Sequence, residues 1–159
     1  MTTPRTTPAS PRVVVGIDGS APSEQALRWA RFLADTTGAG VEAVAVWRAP
    51  STYGWAGISR PEITLGWDPA ADAHRLVVET VQKVFGTPTF PGLTVTVREG
   101  NTVEVLLELS GEAQVLVVGS RGRGGFSGML LGSVSAACAE HATCPVMVVH
   151  GTTPPPPRP

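Results

Sequence analysis

Apolar residues recur along the chain in two alternating styles. Five short runs are rich in β-branched residues: RVVVGI at 12–17, VEAVAVW at 41–47, LTVTVR at 93–98, QVLVVG at 114–119 and PVMVVH at 145–150. The run at 93–98 alternates, whereas those at 114–119 and 145–150 are continuous. Continuous Val-rich runs fit strands covered on both faces, as in a parallel sheet. Between the runs, apolar positions fall three and four apart, the spacing of one helix face. Ala26, Leu27, Ala30, Leu33 and Ala34 form one such stripe, and Ala73, Leu76, Val77, Val81 and Val84 a second. Val103, Leu106 and Leu107 form a third, and Val134, Ala137, Cys138 and His141 a fourth. Pro22 suits a helix start, Gly38 and Gly86 suit helix ends, and Asn101 followed by Glu104 has the form of an N-cap. The order β-α-β-loop-α-β-α-β-loop-α-β predicts an open, doubly wound α/β sheet with right-handed crossovers. Ligands of such sheets bind beyond the carboxyl ends of the strands, where the strand order reverses.

The ends of the chain differ from the middle. Residues 1–11 hold Thr, Pro and Ser, and 151–159 read GTTPPPPRP. Neither carries the apolar surface that offsets the entropy of ordering, so both are expected to be disordered around a single domain at 12–150. With 42% hydrophobic and 16% charged residues, the bulk of the chain is predicted to fold. Twelve basic residues against thirteen acidic ones argue against a nucleic-acid binder, which needs clustered positive charge. No apolar run reaches the roughly 20 residues of a membrane span, and the N-terminus lacks the apolar core of a secretory signal. Two cysteines make no disulfide scaffold, which points to a reducing, cytoplasmic setting.

The loop after the fourth run carries the clearest chemistry. It reads GSRGRGGFSGMLLGS, with the spacing Gly119-x2-Gly122-x9-Gly132-Ser133. Glycines let a ligand approach the backbone, and successive N–H groups in such turns form an anion site. Gly132 and Ser133 then open the last helix, whose free N–H groups and dipole favour phosphate. Ser133 and Ser135 add hydroxyls, and Arg121 and Arg123 add positive charge. Ser120 and Gly124 lie in the same stretch of amides. A polyphosphate site and a plain flexible connection both remain open on these residues alone. A P-loop is excluded, because the only lysine, Lys83, lies in a helical stripe far away in sequence. The turn after the first strand, GIDGSAPS, does not fit the dinucleotide fingerprint, and no G-x-S-x-G elbow occurs.

The spacing G-x2-G-x9-G-[ST] resembles the nucleotide-binding signature of the universal stress protein family. The segments VVVGIDGSAPSEQALRWA (13–30) and GSVSAACAEHATCPVMVVH (132–150) are similar to that family's opening and closing segments. The resemblance implies a Rossmann-like, five-stranded parallel sheet of order 3-2-1-4-5 with helices on both faces. It implies ATP binding, with Mg or Mn on the phosphates, and homodimers built on the last strand (145–150). Matched residue by residue, it puts Asp18 facing the nucleotide, with Gly16 and Ile17 as backbone neighbours. Val46 would hold adenine through its backbone, next to Ala45, where the family often has a histidine. Gly119, Gly122, Gly132 and Ser133 would line the phosphates and ribose, and Val134 and Ser135 would contact the outer phosphates.

The remaining candidates are weaker. Asp18 before Gly19-Ser20 also suits a turn or cap. Cys138, His141 and Cys144 fall short of the four ligands of structural zinc. His141 is placed to meet the last carbonyls of its helix, while His74 and His150 lack a constellation. Trp29 and Trp47 read as core or interface residues. The segment 48–68 holds Tyr53, Trp55 and Trp67 and is read either as a flap over the nucleotide or as an insertion packed on the helix that follows. The expected function is an ATP-binding stress-response regulator acting as a homodimer. The alternatives are a slow ATP hydrolase or nucleotide-dependent transferase, and a dimeric interaction module without nucleotide.

Overall fold

The computed structural model describes residues 10–49, 66–122 and 130–157. Nine elements follow in the order β1 (Arg12–Gly16), α1 (Ala21–Thr37), β2 (Gly40–Trp47), α2 (Pro69–Phe85), β3 (Leu93–Glu99), α3 (Thr102–Ser110), β4 (Val115–Gly119), α4 (Ser133–His141) and β5 (Val146–Val149). The strands form one parallel sheet of order β3-β2-β1-β4-β5. The chain moves outward from β1 to β3 on one side and then returns to β4 on the other. The strand order therefore reverses between β1 and β4.

Each strand side chain chooses a layer by the two-residue period of the pleat. Val13, Val15, Val41, Ala43, Ala45 and Val117 face the layer of α1 and α2 and meet Leu27, Ala30, Val77 and Val81. Val14, Val44, Leu116 and Val118 face the other layer and meet Val105, Leu106, Leu109 and Cys138. The alternation in β3 has the same origin. Val95 and Val97 pack towards α2, while Thr94, Thr96 and Arg98 lie on the side where α3 covers β1, β2 and β4. There the Arg98 guanidinium pairs with Glu108 at 3.1 Å. Glu42, the one buried carboxylate of β2, meets Arg12 at 2.8 Å and accepts a hydrogen bond from Thr96 at 2.7 Å. A buried charge is tolerated only with such partners.

The helix ends follow the sequence signals. Ser20 caps α1, with its side chain accepting from the Ser23 N–H, and Asp68 caps α2. Gly38 and Gly86 close these helices in the left-handed conformation, at φ 73° and 74°. Asn101 caps α3, accepting from Val103 N–H at 2.9 Å and Glu104 N–H at 3.3 Å. Two stripes need correction. The buried face of α3 is Val105, Leu106 and Leu109, not Val103, Leu106 and Leu107, because these three meet Val14, Val44, Leu116 and Cys138. In α4 Ser135 and Cys138 are buried and Val134 packs on the same layer, as its place in the stripe predicts, while His141 is exposed and lies 3.7 Å from Glu140. After β5 the chain turns through a Thr153 N–H to His150 carbonyl bond, and the Thr153 carbonyl accepts from the Trp29 indole at 2.8 Å. Among the described residues no helix is long and apolar enough to cross a membrane.

The α3 cap gives a direct test. Asn101→Ala removes the acceptor for two amides and should lower stability by about 1 kcal/mol in urea unfolding, with an unchanged m-value.

Candidate functional site

The reversal between β1 and β4 opens a cleft of about 580 Å³ at the carboxyl ends of the strands. Its floor comes from β1 and the turn after it (Gly16, Ile17, Asp18), from β2 (Val44, Ala45, Val46) and from β4 (Val118, Gly119). Ala73 and Leu76 of α2 and Leu106 of α3 make apolar walls. The remaining side is built from Arg121, Gly122 and Leu131 to Ser135.

The start of α4 differs from every other helix start described. Helices α1, α2 and α3 have side-chain caps, but Gly132 at the N-cap of α4 offers none. The first intrahelical bond runs from Ala136 N–H to the Gly132 carbonyl. The amides of Ser133, Val134 and Ser135 therefore have no intrahelical acceptor, and all three residues line the cleft. The helix dipole adds partial positive charge at the same point. The backbone holds this end in place. The Ser120 carbonyl accepts from Gly132 N–H at 2.7 Å, and the Ser120 N–H donates to the Val149 carbonyl at 2.8 Å. The buried Ser135 hydroxyl lies 3.0 Å from both the Ser120 and Gly132 carbonyls, so its proton is used inside the fold. Ser135 thus offers the cleft its amide rather than its hydroxyl.

Opposite, β2 runs on past the end of β1. The last bond of that ladder goes from Ile17 N–H to the Val44 carbonyl at 2.8 Å. Trp47, whose carbonyl accepts from Gly100 N–H, faces β3. Val46 lies two residues beyond Val44, so its N–H and carbonyl point to the same side as those of Val44, past the end of β1. A donor and an acceptor side by side on an apolar floor can recognise the edge of a planar heterocycle.

Asp18 does two things. Its Oδ1 accepts from the Ser20 N–H at 2.9 Å and from the Ser20 hydroxyl at 2.5 Å, the turn role legible in its sequence context. It also lines the cleft, as the only carboxylate among the described lining residues.

A family model described as "Universal stress protein family" matches residues 10–150. The chain belongs to the universal stress protein family. A universal stress protein of Mycolicibacterium smegmatis is 38% identical over 140 residues, which cover 86% of this chain and 45% of that one. Universal stress protein Rv2623 of Mycobacterium tuberculosis is 33% identical over 144 residues, covering 87% and 47% respectively. The chain thus spans about half the length of these curated relatives. Among solved structures, a universal stress protein in complex with cAMP is 26% identical at a TM-score of 0.64, with 91% of this chain and 99% of that one covered. UspA from Lactobacillus plantarum shares the fold at a TM-score of 0.68 and 21% identity, with 88% and 97% covered.

In this universal stress protein domain, most residues singled out from sequence meet in the cleft: Gly16, Ile17, Asp18, Val46, Gly119, Arg121, Gly122, Gly132, Ser133, Val134 and Ser135. Ser120 acts behind it through its backbone. Arg123 and Gly124 lie outside the described residues, as do Tyr53 and Trp55. Trp67 donates to Asp72 Oδ2 at 2.9 Å and so packs on the start of α2; it is not part of the cleft lining. Ala73 and Leu76 read as core positions from their helical spacing, yet they wall the cleft. Nothing in the sequence distinguished Thr102 and Leu131 as lining residues.

The signature glycines have different physical reasons. A side chain on Gly119 would come within 2.7–2.8 Å of Pro22 Cβ and carbonyl carbon, so this glycine is required by the packing of β4 against α1. One on Gly122 would meet Asp18 Oδ2 at 2.7 Å. One on Gly132 would meet nothing nearer than 3.5 Å.

The two cysteines share the α3/α4 layer. Burial, and next the neighbouring Cys144 thiol, push Cys138 up to about 11. Burial also raises Cys144. Among the described residues no group of three or more His, Cys, Asp or Glu is placed to hold a metal ion.

Two measurements check this geometry. Gly119→Ala should cost about 1–3 kcal/mol of unfolding free energy through overpacking against Pro22, while Gly132→Ala should stay within about 0.5 kcal/mol of the parent. Iodoacetamide at pH 8 should leave Cys138 unmodified in the native chain, with labelling on adding denaturant, as read by peptide mass spectrometry.

Proposed function

We propose that this domain binds ATP in the cleft and acts as a nucleotide-dependent regulator in the stress response, working as a homodimer. The observation that carries the reading is the uncapped start of α4. Three amides and a helix dipole converge on a cleft also lined by Arg121, which meets no carboxylate among the described residues. That arrangement suits a chain of phosphate oxygens. The free backbone edge at Val46 suits the amino edge of adenine, and the apolar walls suit its faces. A relative of this fold, 26% identical, was solved with cAMP, which supports an adenine nucleotide as the ligand class.

Asp18 lines the cleft, so it is the residue that would meet a Mg²⁺ or Mn²⁺ carried on the nucleotide. Such a cation supplies charge neutralisation at the phosphates. The described lining offers one carboxylate and neither histidine nor lysine. Efficient phosphoryl transfer needs a positioned base or water-orienting group together with charge at the outer phosphate. The reading is therefore of occupancy rather than fast turnover, in a cytoplasmic setting. Among the described residues β5 is an edge strand of the sheet, a position that favours pairing with a second copy.

Ser133→Pro tests the reading. Proline is tolerated in the first helical turn, and Gly132 at φ −70° and ψ 164° already has the conformation required before it. The substitution removes one phosphate-facing amide and leaves the helix in place. ATP affinity by isothermal titration should fall at least about tenfold with the circular dichroism spectrum unchanged, and Ser133→Ala should lose less. Equal affinity in Ser133→Pro and the parent would overturn this placement of the phosphates.

A further inference from the structure

A polar groove of about 390 Å³ adjoins the cleft. It lies between the end of β2 and the starts of α3 and α4. Val46, Thr102, Ser133 and Val134 line both spaces, so they form one continuous channel. Five of the groove's lining residues, Trp47, Arg48, Gly100, Asn101 and Val103, do not line the cleft.

The ion pairing of arginines sets Arg48 apart. Among the described residues, Arg12, Arg31, Arg75 and Arg98 each meet a carboxylate. Arg28, Arg48 and Arg121 do not. Of these three, Arg121 lines the cleft and Arg48 lines the groove. The other polar groups of the groove also donate. The Asn101 side-chain oxygen is used by the α3 amides, so what it offers a ligand is its NH₂ group. Thr102 and Ser133 add hydroxyls, and among the described residues no carboxylate lines the groove. A guanidinium among donors, with no acidic neighbour in the lining, is complementary to a phosphate oxygen. Val46, Val103 and Val134 supply an apolar side.

We propose that this groove takes the far half of a ligand longer than ATP, a dinucleoside polyphosphate, and that Arg48 meets its outer phosphates. The inference rests on the nucleotide reading given above. The near adenine lies on the Val46 edge, and the first phosphates lie on the amides of α4. The polyphosphate continues past Ser133 towards Arg48, and the second nucleoside lies in the groove. Arg48 then contributes to the longer ligand and not to ATP, which makes it a specificity-determining residue.

The test is isothermal titration of the full chain with ATP and with diadenosine tetraphosphate, at matched free Mg²⁺ and ionic strength. The parent should bind the tetraphosphate about tenfold more tightly than ATP. Arg48→Ala should weaken the tetraphosphate about five- to tenfold and leave ATP within about twofold, and Arg48→Lys should recover part of the loss. If ATP binds and the tetraphosphate is not preferred, or if Arg48→Ala weakens both ligands alike or neither, this inference is overturned and the ATP reading stands. If neither ligand binds the parent, both fall together.

Discussion

The constraint on which the site depends is a set of backbone amides left without protein acceptors. Burying an unpaired N–H costs about 1–3 kcal/mol, so helices end in caps. This fold obeys that rule at three helix starts, through Ser20, Asp68 and Asn101, and departs from it at α4. The open end sits where the strand order reverses, the one place in the sheet where two neighbouring connections lead away from each other. Water or an anion can then complete those amides. The departure is held firmly, because the Ser120 carbonyl fixes both Gly132 and Ser135 from behind.

The surrounding geometry follows from close backbone approach. Pro22 lies against Gly119 on one side and against Gly151 on the other, where a side chain would come within 3.3 Å. The α1 start, the end of β4 and the turn after β5 are therefore stacked on one another. This brings Asp18 next to Gly122, so the sole described carboxylate of the cleft touches the loop that precedes the open amides. A glycine signature of this kind mixes two requirements. Gly119 serves packing, and Gly122 leaves room for the carboxylate. Gly132 has space around it, so its value lies in being a cap without a side-chain acceptor. The domain as described is also half the length of its curated relatives, so the activity of those longer proteins does not transfer to it directly.

Much of the fold was legible because each strand is a short β-branched run and each helix has a stripe at helical spacing. The sheet class followed from continuous runs at 114–119 and 145–150, and the strand order from resemblance to the family. The misread faces of α3 and α4 have a common cause. In nine-residue helices rich in apolar residues, several sets at helical spacing compete, and the packing partners decide which of them is buried. The site was legible where backbone chemistry is encoded by glycine and by helix-start residues. It was less legible where core-like residues double as walls, as with Ala73 and Leu76, or where a hydroxyl turns inward, as with Ser135. Spacing names the residues that gather at a site but does not say which atom each one presents.

The central claim concerns particular amides, so the most direct measurement observes them. A nitrogen-15-labelled sample titrated with ATP and Mg²⁺ should show its largest amide shifts at Ser133, Val134 and Ser135, with a second group at Val46 and its neighbours. Amides on helix faces away from the cleft should stay still. An ATP titration in which those three amides do not move, while shifts gather elsewhere or nowhere, would contradict the account.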